Sequence, residues 1–135
     1  MKMRRSLLPF LFLSTFAFGP LAAQENDPHA LDGTELEYTY TDGGSVILTF
    51  YDGLLKFLWI AGPNEGAAGE NFEYSARPIG DDRYMVVWRM EEANNFLTMV
   101  IDLESRALFT SGLMGYESDE EAVLFDEATI HRVER

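Results

Sequence analysis

The sequence runs to 135 residues, with 23 acidic against ten basic side chains, a formal charge of −13 and no cysteine. That balance excludes binders of nucleic acid and of anionic lipid surfaces, which rely on a positive patch. The missing thiol excludes disulfides, thiolate metal sites and cysteine chemistry.

The first 23 residues read as a secretory signal peptide rather than as part of a fold. Lys2, Arg4 and Arg5 form a positive start, Leu7 to Phe18 is a mostly apolar run, and Ala22-Ala23 offers a cleavage point before Gln24. The run is short for a membrane span of ~20 residues. An uncleaved N-terminal anchor is the alternative, and the Arg4-Arg5 pair loosely resembles a twin-arginine signal. Cleavage after Ala23 would leave one periplasmic or secreted domain, 24–135. That product would keep all 23 carboxylates and lose three of the ten basic residues, so its charge would be about −16.

Residues 24–30 are polar, contain Pro28 and are expected to be a flexible lead-in, with the domain proper over 31–135. Leu36, Tyr38 and Tyr40 then alternate with Glu37, Thr39 and Thr41, the period-two pattern of a half-buried strand. Asp42-Gly43-Gly44 predicts a tight turn, Ser45 to Tyr51 a second strand, Asp52-Gly53 another turn and Leu54 to Ile60 a third strand. Residues 61–70, with three glycines, a proline and three alanines, predict a long loop or lid. Phe72, Tyr74 and Ala76 alternate again; Tyr84 to Met90, Phe96 to Asp102 and Arg106 to Ser111 predict further strands. Residues 112–121 predict a second irregular stretch, with Ala122–Phe125 and Thr129–Val133 as the last strands. No segment carries a helical stripe over three turns. Eight to ten strands joined by short turns predict an all-β fold, a single antiparallel up-and-down barrel; closing the sheet removes its free edges.

Several local patterns resemble the bacterial phenolic acid decarboxylases. Tyr38-Thr39-Tyr40-Thr41-Asp42-Gly43-Gly44 is similar to that family's first hairpin, Tyr84-Met85-Val86-Val87-Trp88 to a later strand and Phe125-Asp126-Glu127-Ala128-Thr129-Ile130 to its final strand. The same layout resembles the MoaF-like domain, and both are small lipocalin-like, or calycin-type, barrels. The resemblance implies a pocket inside the barrel with Tyr38 and Tyr40 pointing into it, in positions that hold the substrate carboxylate in the decarboxylases. The chain departs from the family where an arginine and a glutamate complete the site. Met90 stands two residues after Trp88, where the family has the glutamate, and Glu70 or Asn71 falls at the arginine position.

Strand parity points the same way without the resemblance. Leu36, Tyr38 and Tyr40 share a face; so do Leu55, Phe57 and Trp59; so do Phe72, Tyr74 and Ala76, and Tyr84, Val86, Trp88 and Met90. An inward aromatic face with several hydroxyls suits a small apolar or aromatic ligand, and it suits equally a packed core whose tyrosines bond to backbone. The candidate ligand contacts are Tyr38, Tyr40, Phe57, Trp59, Phe72, Tyr74, Tyr84, Trp88 and Met90, with no catalytic residue, metal or cofactor implied. His29 in the lead-in reads as solvated and His131 as a structural strand residue without a partner for base catalysis. The acids at 117 and 119–121 lack the spacing of an EF-hand loop and read as solvated surface. Arg77 and Arg89 read as surface ion-pairing residues or anion contacts. Three functions follow: a small-molecule binder, an enzyme using Tyr38 and Tyr40 as proton donors on a phenolic substrate, or an interaction module working through residues 61–70 or 112–121. The oligomeric state stays open.

Overall fold

A computed structural model describes residues 26–135; the expected signal peptide and the start of the lead-in lie outside the described residues. Eight antiparallel strands close into one barrel in chain order: β1 (Glu35–Tyr40), β2 (Ser45–Tyr51), β3 (Leu54–Ala61), β4 (Ala68–Gly80), β5 (Arg83–Met90), β6 (Asn95–Asp102), β7 (Ala107–Met114) and β8 (Ala122–Glu134). The all-β up-and-down barrel read from the alternation is the observed fold. Its helix, among the described residues, is one short 3-10 turn, Glu91–Ala93. No helix among them is long and apolar enough to cross a membrane.

The alternation has a direct physical consequence. Side chains on a strand point to opposite faces in turn, and β1 and β2 accordingly bury every second residue. Leu36, Leu48, Phe50, Leu55, Val86, Met99, Ile101 and Leu108 meet inside as the core. Burying each such side chain contributes about 1.5–3 kcal/mol, and closure gives every strand a neighbour on both sides.

The loops 41–44, 62–67, 91–94 and 115–121 sit at one end, here called upper, and the lower end carries the remaining connections. The N-terminal segment seals the lower end. Residues 28–33 form consecutive turns that place Leu31 in the core at 1% exposure. The Ala76 N–H donates to the Pro28 carbonyl at 2.7 Å and Gly33 N–H to Phe50 O at 2.9 Å. The Asp32 carboxylate accepts the Gly53 N–H through both oxygens, at 2.9 and 3.0 Å, and the Tyr74 hydroxyl at 2.8 Å. The end of the expected lead-in is thus bonded to the barrel wall, and the His29 ring lies 5.5 Å from that of Tyr74. Across the lower end, Asp102 caps the β6–β7 turn by accepting the Glu104 and Ser105 N–H groups and the Arg83 Nε–H.

Three expectations about the connections change. The loop expected over 61–70 spans only 62–67, because Gly62 and Gly66 take positive φ and Trp59 pairs with Ala67 across the hairpin. Strand β7 continues to Met114, which shortens the second irregular stretch to 115–121. The two last strands are one, β8, whose first half pairs with β7 and whose second half pairs with β1, so Asp126 and Glu127 do not interrupt it.

Candidate functional site: a seam between β4 and β5

Strand β4 changes partner midway along its length. Its first half pairs with β3, from Leu58↔Ala68 to Leu54↔Glu73, and its second half pairs with β5 from Tyr74↔Trp88 onward. Between Leu55 and Phe57 the register slips, because β4 holds one extra residue there, with Asn71 at φ 65°. Such a bulge bends the strand. The bend is pinned: the Tyr51 hydroxyl donates to Asn71 Oδ1 and accepts the Asn71 N–H, both at 3.2 Å. Above Tyr74 and Trp88, β4 and β5 therefore diverge, and the wall opens into a groove of about 1340 Å³.

The groove floor is aromatic. Phe72 and Trp88 line it, with ring centroids 5.4 Å apart, and Phe57 completes the cluster at 5.9 Å from Phe72 and 6.0 Å from Trp88. Gly69 is essential to this packing, since a Cβ there would fall 2.7 Å from Phe72 Cε2 and 2.8 Å from Phe57 Cε1. Met90 adds a thioether to the groove, at 3.9 Å from Asn95 Nδ2. Trp88 is only 8% exposed, and its indole Nε1–H is the one buried side-chain polar atom among the described residues without a hydrogen-bond partner. An unmet buried donor costs about 1–3 kcal/mol, so it marks a place where an acceptor would gain.

The rim is acidic. Asp52, Glu70, Glu73, Glu91 and Glu92 line it, against Arg89 and His29. Arg89 is already paired with Glu91. A negative rim around an apolar floor favours neutral or cationic molecules and repels carboxylates.

The nine candidate contacts divide into three groups. Phe72, Tyr74, Trp88 and Met90 line the groove, and Phe57 supports its floor while also lining a second, smaller hollow of about 520 Å³ on the outer side of β2 and β3. Tyr38, Tyr40 and Trp59 line neither hollow. They pack as a unit: Tyr38 meets Tyr40 edge-on at 5.4 Å, Tyr40 stacks on Trp59 at 5.7 Å, and the Tyr40 hydroxyl bonds Thr110 Oγ1 at 2.9 Å. Burial pushes the Tyr38 phenol well above its ordinary pKa, with Tyr40 adding to the effect, and burial likewise raises Tyr40 despite its bond to Thr110. Tyr84 lies near the lower turn, opposite Pro78 and Ile101, away from the groove. Tyr74 shows only its ring to the groove, because its hydroxyl is committed to Asp32; burial first, then that carboxylate, raises its pKa. His131 Nε2 sits 2.8 Å from Thr39 Oγ1 on the outer face.

Sequence reasoning missed the seam itself, the role of Gly69, the Asp32–Tyr74 clamp and the acidic rim. The first follows from a change of strand partner that no local pattern reports.

No protein-family model matches the chain, and no curated protein does. Among solved structures the chain is similar to a protein from Burkholderia vietnamiensis described as a "putative beta-lactamase", with a TM-score of 0.65 and 18% identity over 76% of this chain and 94% of that one. At that identity the likeness establishes the shared barrel fold.

Proposed function

We propose that this barrel is an exported binding protein whose β4–β5 groove holds a small aromatic molecule, neutral or cationic and carrying a hydrogen-bond acceptor. The observation that carries the reading is Trp88 on the aromatic floor of an open groove, beside stacked Phe57 and Phe72, with its buried indole N–H unpartnered within the protein. Aromatic walls with one placed donor are the composition of a ligand site, and a cation over such rings gains a further ~0.5–2 kcal/mol. Export rests on the charged and apolar N-terminal segment with its small-residue end. The barrel is in keeping with the MoaF-like resemblance, but that resemblance put the ligand beside Tyr38 and Tyr40, whereas the groove lies at Trp88.

Catalysis is not part of the proposal. A phenolic acid would meet an acidic rim, and two buried phenols with raised pKa values are poor proton donors. The chemistry suggested by the neighbour's name has no footing in these residues. The only lysines are Lys2 and Lys56, neither three residues after a serine, so no Ser-x-x-Lys motif exists. Among the described residues no group of three or more His, Cys, Asp or Glu is placed to hold a metal.

Fluorescence titration with quinoline, tryptamine and ferulate tests the reading. Quinoline and tryptamine are expected to quench and to raise the melting temperature, with Trp88→Phe losing the response, whereas ferulate is expected to do neither. Preferential binding of ferulate, or no response to any of the three, overturns it.

A further inference from the structure

The outer face of β5 to β8 carries an apolar surface that meets the groove only at Phe96. Register places Phe96, Leu113 and Val123 in one row across β6, β7 and β8, and Met85, Val100 and Phe109 in another. Phe125, opposite Ser111, lies between the rows. Val123 and Phe125 are 82% and 81% exposed, and Phe96, Met85, Phe109 and Leu113 are each more than a third exposed. On a barrel whose inner face already forms the core, these outward positions need no apolar residue for folding, and a contiguous patch of this kind marks an interaction surface.

The border of the patch identifies the partner's chemistry. The 91–94 loop contributes Glu91 and Glu92, and the 115–121 loop contributes Glu117, Asp119, Glu120 and Glu121, all exposed. The two loops are tied together, with Tyr116 N–H donating to Asn94 O at 2.8 Å and Gly115 N–H to Asn95 Oδ1 at 2.9 Å. Along β8, Glu127 faces Phe109. Arg89, at the end of β5, is engaged by Glu91, and exposed Arg77 opposite Met85 is outnumbered by the six loop acids. A second copy would bring two such rims together, each on a chain of charge −13, and an anionic membrane would be repelled in the same way. The rows are formed by outward side chains of paired strands, so side chains make the contact.

We propose that this face docks a basic protein, one that presents apolar anchors ringed by Lys and Arg. Complementary charge would steer the encounter, and Phe125 and Val123 would form the desolvated centre.

The test is selection of a random displayed-peptide library on the full chain, with the double variant Val123→Ser/Phe125→Ser as counter-target. Both side chains are over four-fifths exposed, so the variant is expected to fold and to bind quinoline in the groove as before. That keeps failure here separate from failure of the groove reading. Enriched peptides are expected to combine aromatic residues with Lys and Arg, to bind the variant about tenfold or more weakly and to lose affinity with added salt. Enrichment of neutral or acidic peptides, or equal binding to the variant, overturns the proposal. So does a wild-type dimer in sedimentation that the variant loses, which would assign the face to a second copy. Flotation with phosphatidylcholine vesicles that the variant loses would assign it to a lipid surface instead.

Discussion

The lower end of the barrel and the β4–β5 seam are made of similar residues and behave differently. At the lower end, Phe50 meets Tyr74 edge-on at 4.8 Å, Leu31 closes over the core, and Asp32 and Asp102 occupy backbone N–H groups that would otherwise be orphans. At the seam, Phe72, Trp88 and Met90 are equally inward by parity, but β4 and β5 separate above Tyr74 and Trp88, and one buried donor is unmet. The same inward aromatic is core where both flanking strands stay paired, and a candidate site where one of them leaves. Period-two patterning decides which face a residue takes; strand partnership decides whether that face is filled.

The largest expected contrast comes from truncation. Phe50→Ala at the lower end should cost about 3–5 kcal/mol in denaturant unfolding, because a fully buried ring leaves a cavity. Met90→Ala at the seam should cost less than about 1.5 kcal/mol, since its side chain is only partly buried. Similar costs at both sites would break the distinction.

Gly69→Ala should come next. The new methyl cannot coexist with the Phe57 and Phe72 rings as placed, so about 1–3 kcal/mol of destabilisation is expected, together with loss of quinoline quenching. The same substitution at Gly80, whose nearest atom to an added Cβ is 3.5 Å away, should leave binding unchanged.

Alkaline pH sharpens the comparison more gently. Tyr38, Tyr40 and Tyr74 all have pKa values raised above the ordinary phenol value by burial. The folded state therefore prefers the neutral phenols. Their stabilising contribution is complete below about pH 10 and is lost as pH rises toward the folded-state values. Melting temperature should fall through that window, and Tyr38→Phe should make the fall shallower. A pH-independent melt would contradict the packed environment of these phenols.

The smallest stability change is expected for Trp88→Phe. Loss of packing is partly offset by loss of the unmet N–H, for a net change below about 1.5 kcal/mol, while binding falls by an order of magnitude or more.

Much of the fold could be read from alternation and turn chemistry. Tyr38–Tyr40, the Asp42-Gly43-Gly44 turn and the β2–β3 hairpin lie where the residue pattern puts them, because those features depend on neighbours in the chain. The extent of β4 and β8 could not be read that way. Each of these 13-residue strands exchanges one partner for another midway, and the change is set by tertiary pairing. Gly69 read as loop because glycine usually is; here its missing Cβ makes room for two rings. Asp32 followed a polar, proline-containing stretch, and nothing local signals that it clamps Gly53 and Tyr74 across the barrel. Four of the nine candidate contacts reached the groove because parity gave the right face; Tyr40 did not, being packed against Thr110 and Trp59, and neither did Tyr38, packed edge-on against Tyr40.

The indole N–H resonances of the two tryptophans provide the sharpest test. With nitrogen-15 labelled protein and quinoline, the account predicts a downfield shift of the Trp88 signal as its proton gains an acceptor, with the Trp59 signal unmoved. A shift at Trp59 alone, or at neither, would contradict a ligand site at the β4–β5 seam.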